Sequence, residues 1–305
     1  RAGQTFITWR EPEPLLARED APIEDLNKAR AAAAASHGVR YKIYRSTEAM
    51  TAATVARAEL VDEVDGFTIW NGERYGVYPD DKSPALRYAV RDGEPPAPPG
   101  TGIYVHKPAA PGRAWYAVVL ARDGAEDFSA LEGEGRASGP IDEVAGPGEP
   151  VLQRVEKPRT FAYVDNPTLE YYVRWESPPA SNLPSRPFDY MLGVPPRANS
   201  PSPACVALHC WGGNLNEGYG WWYGASDGAI LLATNQIPYD WWAAYHESLH
   251  TLKPFKEGMC RNFTQRRVWA FVEWARDKLK IDPNRIFVAG NSMGGSGVSH
   301  WLRHG

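Results

Sequence analysis

The chain has 305 residues, 43% hydrophobic and 23% charged, with a formal net charge of -4. This is the balance of a globular protein of about two domains. The acidic balance argues against a surface that tracks nucleic-acid phosphates, and no stretch reaches the ~18 apolar residues that a membrane span needs.

The first half reads as strands. Gln4–Trp9 alternates in β-formers, and Val39–Arg45 alternates again, with Val39, Tyr41 and Ile43 on one face. Ala114–Ala121 is more continuously apolar, as a central strand would be. Between them, the Ala-rich stretch Ile23–Ser36 has helical propensity. Residues 46–100 are too long for a simple strand connection and are expected to be an elaborated insertion. Glycines and prolines over 135–165 mark a linker with one closing strand near Val151–Val155.

Three segments carry a further likeness: the strand ending at Trp9, Tyr41-Lys-Ile-Tyr-Arg-Ser46, and Trp115-Tyr-Ala-Val-Val-Leu-Ala-Arg-Asp-Gly124. Together they make residues 1–158 resemble a fibronectin type III-like β-sandwich, with the insertion and linker added. The resemblance implies an accessory or spacer domain.

Beyond about 160 the pattern changes. Tyr171–Trp175 and Phe188–Val194 suggest an antiparallel hairpin. Ala204–His209, Ala229–Thr234 and Arg285–Gly290 are short apolar runs of the kind buried on both faces of a sheet. Thr264–Leu279 is a predicted helix, with Val268, Phe271, Val272, Ala275 and Leu279 on one stripe. Asp282-Pro283 turns the chain into the last strand, and a helix opens at Ser292. Strands alternating with helices predict a mostly parallel α/β sheet.

Gly290-Asn-Ser-Met-Gly294 stands between that strand and that helix. A tight strand-to-helix turn lifts a serine hydroxyl to the carboxyl end of a sheet and places it at a helix N-terminus. His209-Cys-Trp-Gly-Gly-Asn214 directly follows the buried strand 204–209. With Asp282-Pro-Asn-Arg-Ile-Phe-Val288, these motifs make residues 185–305 similar to the α/β-hydrolase superfamily. Within it they look most like the feruloyl esterases, acetylxylan esterases, polyhydroxyalkanoate depolymerase-like proteins and esterase D. The resemblance implies a nucleophile, Ser292, and an oxyanion hole made by Met293 N–H and an N–H of Trp211 or Gly212. Residues 159–305 are then expected to be the N-terminal half of a hydrolase domain acting on carboxylic esters. Polysaccharide-linked esters are the favoured partner, with no metal, no cofactor and no nucleic acid. An attached β-sandwich suggests a secreted or periplasmic enzyme by analogy.

In this fold the triad runs serine, acid, histidine along the chain, so both partners of Ser292 are expected C-terminal to it. His300 and His304 do follow it, but on the helix that leaves the nucleophile. His246, His250 and Asp240 lie upstream, out of chain order. His209, at a strand end, is expected to orient the oxyanion loop. The aromatic loops after the two central strands include Trp221, Trp222, Trp241 and Trp242. Such rings either line a substrate cleft or pack the loops onto the sheet. Of the three cysteines, Cys205, Cys210 and Cys260, the last two form the more plausible pair. Two other readings stay open: a prolyl-oligopeptidase-type serine peptidase, and a non-catalytic carbohydrate-binding module on a hydrolase-like frame.

Overall fold

The computed structural model describes residues 1, 3–12, 16–36, 38–71, 82–128, 131, 137–216 and 222–304. The chain divides into two units, one of residues 1–90 and 95–149, the other of residues 91–94 and 150–305. It is mostly β, with several sheets and few helices.

The first unit holds β1 (Thr5–Arg10), α1 (Ile23–Ser36), β2 (Val39–Ser46), β3 (Glu59–Val64), β4 (Trp70–Asn71), β5 (Leu86–Arg87), β6 (Thr101–His106), β7 (Gly112–Arg122), β8 (Ala125–Asp127) and β9 (Ala137–Glu143). The apolar β7 is central: β2 pairs along one edge, β8 and β9 along the other. β3 lies inside the expected insertion, yet it extends the sheet beyond β2. β1 and β6 form an antiparallel ribbon. Period-two alternation puts Ile7 and Trp9 of the ribbon against Tyr41, Ile43, Tyr116 and Val118 of the sheet in one buried cluster. Each such side chain contributes roughly 1.5–3 kcal/mol on burial. Glu11 is buried here and accepts the Phe67 N–H at 3.1 Å. Burial pushes its carboxyl up to about 7.

The second unit holds β10 (Val151–Glu156), β11 (Thr160–Phe161), β12 (Val164–Asp165), β13 (Thr168–Glu176), β14 (Arg186–Val194), β15 (Ser202–Leu208), β16 (Ile230–Thr234), β17 (Tyr245–His246), β18 (Cys260–Arg261), α2 (Phe263–Leu279), β19 (Ile281–Gly290) and α3 (Met293–His304). Its main sheet runs β10-β13-β14-β16-β15-β19. Only β16, β15 and β19 pair in parallel; the rest of the sheet is antiparallel. The sheet is therefore mixed rather than mostly parallel, because two hairpin-like steps precede the crossovers. The strand near 151 does not close a linker: Val151 is fully buried, and β10 is the outermost strand of this sheet.

All seven residues of β15 and all five of β16 are buried, as their continuous apolar runs require. α2 and α3 pack on one face of the sheet, through Val268, Phe271, Val272 and Ala275 of α2 and Met293 of α3. The other face is covered by Leu215, Trp222 and the short β11–β12 hairpin. At the start of β19, pairing steps from Ser202–Ile281 to Ala204–Ile286, so Asp282–Arg285 bulge out as the expected turn. Asp282 holds that turn by accepting from Asn284 N–H and the Arg285 guanidinium. Among the described residues no helix is long and apolar enough to cross a membrane.

Candidate functional site

β15, β16 and β19 all end on the same side of the sheet, at Leu208, Thr234 and Gly290. Ser292 is exposed there, with φ of 51°. That left-handed backbone costs a residue with a Cβ roughly 1–3 kcal/mol. The turn is tight because two glycines let backbones meet. A Cβ on Gly290 would lie 2.5 Å from the carbonyl carbon of Gly294, and one on Gly294 would overlap the Leu208 carbonyl oxygen. Gly294 N–H donates to Asn291 O at 2.8 Å and Ser296 N–H to Ser292 O at 3.0 Å, starting α3 at once. Met293 is fully buried and opens α3, so its N–H belongs to the first turn, where helix donors lack intrahelical acceptors.

The loop after β15 lies against this turn. Cys210 Sγ donates to Asn291 O at 3.3 Å. His209 is 3% exposed and uses both ring nitrogens. Its Nδ1–H donates to Cys210 O at 2.7 Å, and its Nε2 accepts Gln236 N–H at 2.9 Å. Those partners fix one neutral tautomer. Burial lowers its pKa to about 4. Gly213 N–H also donates to Cys210 O, at 3.0 Å. The Cys210 carbonyl is thus held on the His209 side, and in a trans peptide the Trp211 N–H must point the opposite way. Gly212 has φ of 75°, and nothing lies within 4 Å of the Cβ it lacks. Of the two donors considered in this loop, Trp211 N–H is the one whose direction the observed hydrogen bonds set.

The aromatic residues divide. Trp211 and Trp241 are 60% and 50% exposed at this end, with Trp211 against Tyr239 at 4.9 Å between ring centroids. Trp242 is fully buried: its indole N–H donates to His209 O at 3.1 Å, and it packs on Gly297 of α3. Asp240 fixes that turn by accepting from Trp242 N–H at 2.9 Å and from Gln236 Nε2, and burial raises its pKa. Trp242 therefore packs the loop rather than lining a cleft. Trp222 also falls on the packing side of the two readings. It is buried with its indole N–H on Ala229 O at 2.7 Å, beside Gly193. The loop leaving β15 must return to the start of β16, so residues 222–229 sit at the far end of the sheet. Trp221 lies outside the described residues. His209, with both nitrogens committed, is a structural tie and not a substrate-facing group.

His300 is eight residues into α3 from Ser292, a rise of about 12 Å along the axis, and His304 lies further along the same helix. His246 belongs to the β17–β18 ribbon, with Nδ1 at 2.8 Å from Ser248 Oγ and its ring stacked on Phe255. All three cysteines are free, so Cys210 and Cys260 are not paired. Cys210 is engaged at the Ser292 turn, while Cys260 is exposed in β18.

A buried cation at the end of β16 was not anticipated. Arg267 of α2 is fully buried, lies 4.2 Å from the Phe188 ring, and donates to Thr234 Oγ1 and Asn235 O at the end of β16. It falls on the helical stripe with Val268 and Phe271, and that spacing was the available signal.

No protein-family model matches the chain, and no curated protein matches it. Solved structures that it is similar to include two esterases. A candidate acetyl xylan esterase from Bacteroides fragilis shares 18% identity at a TM-score of 0.34, covering 49% of this chain and 43% of its own. A thermostable esterase shares 14% identity at a TM-score of 0.30, covering 88% of this chain and 68% of its own. The chain spans less than half the length of the first of these.

Proposed function

We propose that the second unit is the N-terminal part of an α/β-hydrolase catalytic domain and that Ser292 is its nucleophile. The observation that carries this reading is the strained Ser292 backbone, set between β19 and α3 and wedged onto Leu208 by Gly294. Strain of this kind is retained where surrounding structure and function require it. Met293 N–H and Trp211 N–H are the proposed oxyanion donors, and losing one such donor typically costs about 3–4 kcal/mol of barrier. His209 is the positioning residue of the Trp211 N–H, acting through the Cys210 carbonyl.

In the proposed reaction Ser292 Oγ attacks an ester carbonyl. The alcohol leaves as a histidine returns the proton taken from Ser292, and water then hydrolyses the acyl-enzyme. The histidine and the acid that orients it are assigned to residues following 305, in keeping with the chain order of this fold. β19 pairs on one edge only among the described residues, and Trp269, Phe287 and Leu302 are exposed around it. An additional strand and helix would cover that apolar surface. Esters linked to polysaccharides are the proposed substrate class, with a secreted or periplasmic location, and the first unit is read as a fibronectin III-like accessory domain. In the full-length protein a fluorophosphonate probe should label Ser292, and Ser292→Ala should abolish the label. Equal labelling of both would sink the assignment.

A further inference from the structure

A concave site lies at the end of the sheet opposite Ser292, near the start of β16 and the end of β14. It is an open cleft of about 620 Å³. Tyr163 and Tyr223 line it and are 90% and 56% exposed. Buried Trp222 forms part of its floor. Arg197 and Asp165 supply a cation and a carboxylate, and Ser226 a hydroxyl.

Tyr163 is presented at a cost. Ala162 and Tyr163 are the two residues between β11 and β12, with φ of 53° and 66°. A two-residue hairpin turn with both φ values positive favours Asn-Gly, because a Cβ is strained in that region. Here the second position carries a large ring that is nearly all in solvent. Burial does not explain it, and strained positions cluster at ligand clamps.

We propose that this cleft binds a neutral oligosaccharide segment, at a site separate from Ser292. Sugar hydroxyls both donate and accept. Arg197 can only donate, and Asp165, which takes the Thr160 hydroxyl at 3.0 Å, can only accept when ionised. Opposite charges in one cleft disfavour an anionic ligand, since the carboxylate would oppose it. The phenol rings offer flat faces to the C–H face of a sugar ring, and an open cleft admits a chain passing through. The site does not depend on the hydrolase reading: Gly290 and Leu208 mark the other end of the sheet.

Calorimetric titration of the purified protein with xylohexaose, cellohexaose and mannohexaose tests this. At least one should bind. Tyr163→Ala and Tyr223→Ala should each weaken it by about tenfold, whereas Tyr163→Phe should retain it. Ser292→Ala should bind as the wild type does, which separates this site from the proposed catalytic one. Absence of binding to all three sugars, or wild-type affinity in Tyr163→Ala, would overturn the proposal.

Discussion

The two ends of the second unit's sheet use the same materials differently. Both carry aromatic loops and a non-glycine residue held at positive φ: Ser292 at one end, Tyr163 at the other. At the Ser292 end the strain is enclosed by buried polar ties from His209, Asp240 and Arg267. At the Tyr163 end Ala162 packs on the core, while the Tyr163 ring of the same turn stands in solvent. On the proposed reading, chemistry at Ser292 needs fixed donors, which fits strain that is surrounded by structure. Holding a flat ligand face needs only an accessible ring.

The sharpest way to break this contrast is to disturb each turn and compare the outcome. Gly294→Ala drives a Cβ into the Leu208 carbonyl and should cost about 3 kcal/mol or more, or prevent folding. Gly224→Ala, near the other end, meets only the Ala229 Cβ at 3.2 Å and carries φ of 73°. It should cost about 1 kcal/mol. Urea unfolding of the two variants checks the ranking.

Acid should act on the enclosed end. The folded pKa of His209, about 4, lies below the ordinary histidine value of 6.5, so the folded state resists protonation between them. Stability from this residue is complete above pH 6.5 and is lost as pH falls toward 4, by up to about 3 kcal/mol. Glu11 in the first unit has the opposite sign. Its folded pKa near 7 lies above 4.5, so its contribution is lost as pH rises from 4.5 to 7. Unfolding midpoints of His209→Gln and Glu11→Gln across pH 4 to 8 should diverge from the wild type in opposite directions. Parallel shifts would show that these two groups do not control the pH dependence.

The smallest expected effect concerns strain alone. Ser292→Gly and Tyr163→Gly should each stabilise by about 1 kcal/mol, because glycine adopts positive φ freely. A destabilised Tyr163→Gly would mean that the ring packs on something in the folded state, and the ligand-platform argument would weaken.

Much of the second unit could be read from the sequence because its signals are local. The buried runs of β15 and β16, the α2 stripe and the strand–serine–helix order all follow from hydrophobic period and turn chemistry. What escaped depends on where loops travel. For Trp222 the lining and packing readings could not be told apart from its place after a central strand, because its loop leads to the other end of the sheet. Trp241 and Trp242 could each have lined a cleft or packed a loop, and the consecutive residues at φ of 60° divide, Trp241 half-exposed and Trp242 buried. His209 was expected to orient its loop, and the partner it binds across the sheet end, Gln236, lies in another loop and carries no motif. In the first unit, β3 was hidden inside an apparent insertion because half its residues are acidic and they do not alternate with the apolar ones.

The central claim is that Ser292 is a nucleophile, and labelling of the full-length protein by a fluorophosphonate tests it most directly. The account predicts one adduct on the peptide containing Ser292 and none in Ser292→Ala. An unlabelled wild type, or a label that survives in Ser292→Ala, would contradict it.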